Sequence, residues 1–273
     1  MLACGARTLD LSEPVVMGVL NVTPDSFSDG GRFAHRDAAL RHAESMMADG
    51  AGIIDVGGES TRPGAQPVSL QQELDRVIPV VEALSALDVI ISVDTSTPEV
   101  ILAAASCGAG LINDVRALRR PGALAAAVDV DLPVCIMHMS GEPDTMQNRP
   151  SYTNVVDEVL EFLRQRMLVC VEAGIDPGKL LVDPGFGFGK TVQHNLQLLK
   201  CLDRFQKLDA PVLIGMSRKS MFQAVLGRDV DERLAGSVSA ACLAVCAGAS
   251  IVRAHDVKET VDAVRFARAV MGA

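Results

Sequence analysis

Residues 53–64 read Ile-Ile-Asp-Val-Gly-Gly-Glu-Ser-Thr-Arg-Pro-Gly. The first four residues form an apolar, β-branched run that carries Asp55 and predicts a short buried strand. Two glycines end this run, and a polar loop follows in which two hydroxyl side chains precede Arg62. Such a loop suits a polar or anionic small molecule, because a guanidinium can donate two parallel hydrogen bonds to anionic oxygens. A buried strand leading directly into a polar loop is the unit that recurs along this chain.

The recurrence is visible as apolar runs that alternate with helical patterns. Eight strands are predicted, at residues 15–20, 53–56, 89–93, 111–112, 134–137, 180–182, 212–214 and 250–252. Helical spacing of apolar residues predicts helices at 37–49, 69–87, 121–128, 151–173, 196–205, 233–247 and 257–270, with further helices beginning near 97 and 220. Ser69 and Gln72 have the spacing of a capping box.

Eight strand–helix units in a chain of 273 residues predict an α/β protein, a single (β/α)8 TIM barrel spanning residues 1–273 as one domain. A doubly wound open sheet is the alternative. The barrel is favoured because the strands are regularly spaced to both ends of the chain, and because no Gly-x-Gly-x-x-Gly motif opens the first strand–helix turn. The strand carboxyl ends of a barrel share one mouth, so the active site is predicted there.

Composition excludes several classes of partner. The formal net charge is −9 and there is no block of basic residues, which argues against binding to nucleic acid or acidic membranes. No apolar run approaches the ~18 residues of a membrane span, and the first residues lack a signal-peptide pattern. The seven cysteines are odd in number and contain no Cys-x-x-Cys pair, which predicts reduced thiols in a soluble cytoplasmic protein.

Polar side chains follow most of the predicted strands and would converge at the barrel mouth: Asn21, Asp55, Asp94, Asn113, His138, Asp183, residues 217–219, Arg253 and His255. Each has a plainer interpretation. A lone Asp55 or Asp114 after a strand is more often a turn former, and His138 could be a core histidine. Arg253 and His255 form a stronger signal, because strand alternation sends both side chains to one face, where they predict an anion site.

Motifs along nearly the whole chain match one family, in order, at residues 21–31, 57–64, 94–96, 113–114, 137–139, 183–190, 215–220 and 253–256. On these residues the chain resembles the dihydropteroate synthases, folate-biosynthesis enzymes of the pterin-binding (β/α)8 family. It departs from the family pattern at Ser140, residues 222–223 and Ala254. None of these departures removes a chemical group from the predicted site.

The resemblance implies a transferase that joins 6-hydroxymethyl-7,8-dihydropterin diphosphate to p-aminobenzoate through a cationic pterin methylene. The products are 7,8-dihydropteroate and diphosphate. It also implies a Mg²⁺ cofactor, membership of a family that is a sulfonamide target, and a homodimer to which the helix at 233–247 contributes. One alternative is a corrinoid methyltransferase that binds methyltetrahydrofolate, which would need no diphosphate site. Another is a non-catalytic pterin-binding paralogue, which should have lost at least one charged mouth residue.

Residue roles are implied by the same resemblance. Pterin binding is assigned to Asp94, Ile112, Asn113, Met137, Asp183, Lys219 and Arg253. Diphosphate binding is assigned to Asn21, Arg62, Arg253 and His255, with Asn21 also as the Mg²⁺ ligand. Binding of p-aminobenzoate is assigned to Phe27, Thr61, Pro63, Gly187, Phe188, Lys219 and Ser220. The predicted catalytic residues are Asp94, Asp183, Lys219 and Asp29, since fixed negative charge stabilises a developing cation.

Overall fold

A computed structural model of the chain describes residues 1–23, 32–60, 68–141 and 150–273, with the backbone alone for residues 32–35. Eight parallel strands form its centre: β3 Val15–Asn21, β4 Ile53–Gly57, β5 Ile90–Asp94, β6 Leu111–Asp114, β7 Val134–Met137, β8 Leu180–Asp183, β9 Leu213–Ile214 and β10 Ile251–Ala254. Consecutive strands pair, and β10 returns to β3. A parallel bridge from Val182 to Val212 links β8 to the residue before β9 and closes the ring. The predicted barrel is confirmed, while its extent as one domain stays a prediction.

The helices that follow the strands are α1 Arg32–Ala48, α2 Leu70–Leu84, α3 Pro98–Ser106, α4 Ala123–Val130, α5 Val155–Glu172, α6 Val192–Lys200, α7 Met221–Leu226, α8 Leu234–Cys246 and α9 Val257–Met271. The predicted capping box at α2 is confirmed, because the Ser69 and Gln72 side chains each accept the other's backbone N–H. Within the described part of the chain, no helix has the length and apolar character needed to cross a bilayer.

The helix predicted at 196–205 has different bounds. It begins at Val192, because Thr191 and His194 form a second capping box that the apolar spacing did not reveal. It also ends at Lys200, and residues 202–208 form a separate 3-10 helix. The earlier start places the first turn of α6 directly after the loop that follows β8.

A hairpin that the sequence analysis did not predict closes the amino end of the barrel. Its strands are β1 Leu2–Cys4 and β2 Arg7–Leu9. Their apolar side chains pack on an interior layer formed by one residue from each barrel strand: Met17, Ile53, Ile90, Leu111, Cys135, Leu181, Leu213 and Ile251. Strands of three residues are too short for their periodicity to be recognised. The hairpin gives the barrel an apolar floor beneath the strand carboxyl ends.

Alternation along the strands separates two faces. Interior residues such as Ile53 belong to the layer on the hairpin, whereas Ile54 and Ile112 belong to the larger cluster between strands and helices. At the carboxyl ends, the strand register aligns Asn21, Gly57, Asp94 and Asn113 as successive partners. The interior of the barrel is therefore apolar at its floor and polar at its mouth.

Candidate active site

A buried charge cluster lies at the mouth of the barrel. Arg253 donates from Nε to Asp55 Oδ2 at 2.6 Å and from Nη2 to Asp94 Oδ2 at 3.0 Å. Asn113 Nδ2 donates to the same Asp55 oxygen at 3.0 Å. Asp55 is fully buried and is the counter-ion that holds Arg253, so the plainer interpretation of it as a turn former is wrong. These contacts join strands β4, β5, β6 and β10 at one point.

The carboxylates at the barrel mouth have pKa values raised toward neutral pH. The pKa of Asp94 is raised to about 7, chiefly by burial and then by the Asp55 charge, while the Arg253 guanidinium opposes the shift. Burial also raises the pKa of Asp183 to about 6, against the lowering effects of the Gly185 N–H and of Lys219. Removal from water disfavours the charged form of a carboxylate, which is why both shifts are upward. Perturbed carboxylates of this kind are typical of functional sites.

The loop after β8 depends on its glycines. Asp183 Oδ1 accepts the Gly185 N–H at 2.7 Å, and Asn195 Oδ1 accepts the Gly187 N–H at 2.8 Å. Gly185 has a φ of +71°, and a Cβ there would lie 1.9 Å from the His138 carbonyl oxygen. Only glycine permits both the conformation and the contact. The loop is thereby pressed against the segment that follows β7.

An apolar slot adjoins the carboxylates. Val115, Met137 and Met139 pack together, and the half-buried Phe188 packs against them. Lys219 Nζ lies 4.2 Å from the centre of the Phe188 ring, within range of a cation–π contact. A flat apolar wall beside a cation and two carboxylates can accept a planar heterocycle with a polar edge.

The predicted position of Ile112 in this slot is wrong. Ile112 is fully buried on the helix side of the sheet, because neighbouring residues of a strand face opposite ways and Asn113 faces the interior. Val115 occupies the slot instead, and sequence reasoning missed it. The signal was available: Val115 has the same parity as Asn113, so continued alternation would have indicated it.

The loops after β9 and β10 complete the mouth. Ser217 Oγ lies 3.0 Å from His255 Nδ1 and accepts the His255 backbone N–H at 3.1 Å. The Arg218 guanidinium pairs with the Asp256 carboxylate. Gly187, Lys219 and Ser220 line one cavity. The structure therefore brings together the predicted benzoate residues that it describes, while Phe27, Asp29, Thr61, Arg62 and Pro63 lie outside the described residues.

Asp114 and His138 have structural roles, as a turn former and as a core histidine respectively. The Asp114 carboxylate accepts the backbone N–H groups of Arg116 and Leu118, each at 2.8 Å, and is a turn former. His138 is buried, and its ring meets Phe162 edge-on with 4.8 Å between centres. Burial and the nearby Lys190 charge lower the pKa of His138, so its ring is neutral.

Comparison with known proteins agrees with this geometry. Residues 17–255 match the family model described as pterin binding enzyme. Dihydropteroate synthase of Escherichia coli strain K12 is 55% identical over 267 residues, which cover 97% of this chain and 95% of that protein. This chain belongs to the dihydropteroate synthase family.

Solved structures of dihydropteroate synthases share the fold. The Yersinia pestis enzyme in a sulfonamide drug complex has a TM-score of 0.95 and 53% identity, covering 100% of this chain and 99% of that one. The Xanthomonas albilineans enzyme in complex with 7,8-dihydropteroate has a TM-score of 0.91 and 47% identity, with the same coverage of each chain. The family resemblance found in the sequence motifs is confirmed.

Proposed function

We propose that this chain joins the amine of p-aminobenzoate to the methylene of 6-hydroxymethyl-7,8-dihydropterin diphosphate, giving 7,8-dihydropteroate and diphosphate. Membership of the dihydropteroate synthase family supports the reaction. One structural observation carries its assignment to the mouth: buried Asp183 and Asn113, with Asp94, adjoin the apolar slot that contains Met137. Carboxylate and amide groups can read the donors and acceptors of an amino-pyrimidine edge, while the apolar wall takes the ring face.

The carboxylates have a second role in the proposed chemistry. The methylene–oxygen bond breaks with its electron pair going to the diphosphate, which leaves a cationic pterin methylene. Ionised Asp94 and Asp183 stabilise this cation from fixed positions. The burial of Asp183 and the low exposure of the Asp94 side chain strengthen the interaction. The amine nitrogen of p-aminobenzoate then forms the carbon–nitrogen bond and gives one proton to the released diphosphate. Asp29 is a further candidate for this stabilisation.

Diphosphate is proposed to contact Asn21, Arg62, Arg253 and His255. The Arg253 Nε and Nη2 groups already donate to Asp55 and Asp94, so diphosphate would engage other N–H groups of the same guanidinium. The p-aminobenzoate ring is proposed to lie against Gly187, Phe188 and Lys219, with Ser220 toward its carboxylate and Phe27, Thr61 and Pro63 completing the site.

A Mg²⁺ ion is part of the proposal, held by Asn21. No group of three His, Cys, Asp or Glu residues that could hold a metal occurs within the described ranges. The local geometry nevertheless fits, because a Cβ on Gly57 would lie 3.6 Å from Asp94 Oδ2 and 3.8 Å from Asn21 Oδ1. Glycine thus keeps a space open beside two hard oxygen donors. Mg²⁺ takes few protein ligands when it binds phosphate oxygens, and it would neutralise charge on the leaving diphosphate.

Replacing Gly57 with Ala tests this space. The nearest atom to the added Cβ would be Asp94 Cβ at 3.5 Å, an ordinary contact, so we expect thermal stability to change little. We expect affinity for diphosphate with Mg²⁺ to fall about 10-fold by calorimetry, since the methyl group fills the space beside Asn21. Gly58→Ala is the contrasting control, because its Cβ would lie 2.7 Å from Val77 Cγ2 and lower stability instead. Undiminished affinity in Gly57→Ala would argue against the site.

The reaction itself is tested by supplying the pterin diphosphate, p-aminobenzoate and Mg²⁺ and measuring dihydropteroate by mass spectrometry. We expect one diphosphate released per dihydropteroate formed. A separate incubation with methyltetrahydrofolate and a reduced corrinoid protein tests the methyltransferase alternative, for which we expect no methyl transfer. Absence of dihydropteroate from the folded wild-type chain would overturn the proposal.

A homodimer in the cytoplasm completes the proposal. Large apolar side chains on neighbouring helices α8 and α9 are exposed, including Leu243 at 60% and Phe266 at 70%. Exposed apolar side chains on two adjoining helices support association through these helices, and sedimentation analysis will give the oligomeric state. All seven cysteines lack disulfide partners, which fits a reducing compartment.

A further inference from the structure

Lys190 is a buried cation that the proposed chemistry does not use. Only 4% of the residue is exposed. Its ammonium donates to the carbonyl oxygens of Gly185 at 2.8 Å, Phe188 at 3.0 Å and His138 at 3.3 Å, and lies 2.9 Å from His138 Nδ1. A buried ammonium is costly unless its hydrogen-bonding capacity is met, and these four acceptors surround it. The backbone around Lys190 is therefore arranged to accept hydrogen bonds from its ammonium.

We propose that Lys190 is a positioning residue that ties the loop after β8 to the segment after β7 and so shapes the p-aminobenzoate side of the site. The inference rests on the proposed function, because it concerns the subsite assigned to that substrate. Lys190 also lines the cavity shared by Gly187, Lys219 and Ser220. The hydrogen bonds of its ammonium go to protein acceptors, so it acts through the backbone of the residues proposed to contact the substrate.

The connection runs through the loop carbonyls. Gly185 and Phe188, whose oxygens accept from the ammonium, bracket Gly187 on the wall of the benzoate cavity. The Phe188 ring packs against the cluster of Val115, Met137 and Met139 and lies 4.2 Å from Lys219 Nζ. A displaced Phe188 backbone would move this ring away from both the slot and the lysine. Misplacement of about 1 Å is enough to cost much of a positioned interaction.

The two segments meet with no side chain between their backbones. A Cβ on Gly185 would lie 1.9 Å from the His138 oxygen, and one on Gly189 would lie 2.6 Å from the Ser140 oxygen. The carbonyl oxygens of His138, Gly185 and Phe188 therefore lie close together. Their partial negative charges repel each other unless a hydrogen-bond donor lies between them. The Lys190 ammonium is that donor.

A protonated amine suits this position better than a neutral group. An ammonium carries three N–H donors and no acceptor, which matches a surrounding made of acceptors. The neutral His138 ring can accept at Nδ1. The pKa of Lys190 is lowered to about 7, chiefly by burial and also by the Lys219 charge, while the Asp183 carboxylate opposes this shift and favours the charged form.

The test compares Lys190→Met, which keeps the chain length but removes every donor, with Lys190→Gln, which keeps a neutral donor. We expect Lys190→Met to raise the KM for p-aminobenzoate about 10-fold while the KM for the pterin diphosphate changes less than about threefold. Lys190→Gln should show a smaller effect of the same kind. The pterin contacts of Asp94 on β5 and Asn113 on β6 do not involve the lysine, and only Asp183 on β8 is affected by its charge. The KM for the pterin diphosphate should therefore change less than the KM for p-aminobenzoate.

Two matched variants serve as controls. Lys258→Met removes an exposed lysine of α9 and should leave both KM values unchanged. Tyr152→Phe removes a neutral hydrogen bond to the Gly189 oxygen, 2.8 Å long, on the same loop. It should raise the KM for p-aminobenzoate less than Lys190→Met does, since it leaves the hydrogen bonds of the Lys190 ammonium in place.

Each outcome decides the proposal. Equal changes in the two KM values, no change in either, or an effect of Tyr152→Phe as large as that of Lys190→Met would overturn it. If Lys190→Met does not fold, judged by circular dichroism, Lys190→Gln supplies the comparison. If neither folds, Lys190 serves the fold as a whole and the specific positioning role is wrong. Dihydropteroate formation by the wild type is measured first, so failure of the proposed function is recognised separately.

Discussion

Replacing Asp183 with Asn is expected to lower kcat/KM at least about 100-fold in a chain that still folds, because one fixed charge opposite the cation is lost. The amide oxygen can still accept the Gly185 N–H, now 2.7 Å from Asp183 Oδ1. The other oxygen becomes an NH2 group that meets donors of the pterin, a mismatch of about 1–3 kcal/mol. Calorimetry should show weaker pterin binding, and steady-state assays should show slower turnover. If the variant bound the pterin with wild-type affinity, the assignment of Asp183 to the pterin site would be wrong.

The same carboxylate makes activity depend on pH. With a pKa of about 6 for Asp183 and about 7 for Asp94, kcat/KM of the wild type should fall as the pH decreases through these values. The raised pKa values affect the stability of the fold in the opposite direction. The folded state binds protons at these two carboxylates more tightly than the unfolded state does. Their contribution to the free energy of unfolding therefore grows as the pH falls from about 7 toward their ordinary pKa of 3.8. Lost activity is thus separable from unfolding by a melting curve. A flat profile between about pH 5 and pH 8 would contradict the ionised roles.

Replacing Arg253 with Met is expected to cause the largest loss of stability of any single change at the mouth, about 3–5 kcal/mol. The reason is that Asp55 is fully buried and would lose its cationic partner 2.6 Å away. Asp94 would lose its ion pair as well. For a chain of this size the melting temperature should fall by about 6–20 °C, measured by calorimetry.

A double replacement provides the control for Arg253. Adding Asp55→Asn to Arg253→Met removes the unpaired charge, so part of the lost stability should return while activity stays low. An unchanged melting temperature in the single variant would show that the ion pair contributes nothing to the fold. His255→Ala is the cleaner variant for testing diphosphate binding, because it leaves both Arg253 ion pairs in place.

The sequence by itself determined the strands and the chemistry at their ends. Short β-branched runs followed by glycine-rich loops predicted the eight-stranded barrel, since local periodicity and turn residues are properties of neighbouring residues. Asp94, Asn113 and Asp183 could be placed at one mouth because parallel strand ends share an edge of the barrel. The sequence motifs also identified the family, which the comparisons confirm.

Tertiary structure alone decided which side chains meet across the barrel. The Arg253–Asp55 pair joins residues 198 positions apart, and the Lys190–His138 contact spans 52 positions. Neither contact can be predicted from the spacing of neighbouring residues, because both depend on the strand register that is fixed when the barrel closes. The hairpin floor likewise exists only because a closed barrel presents an apolar end for it to cover.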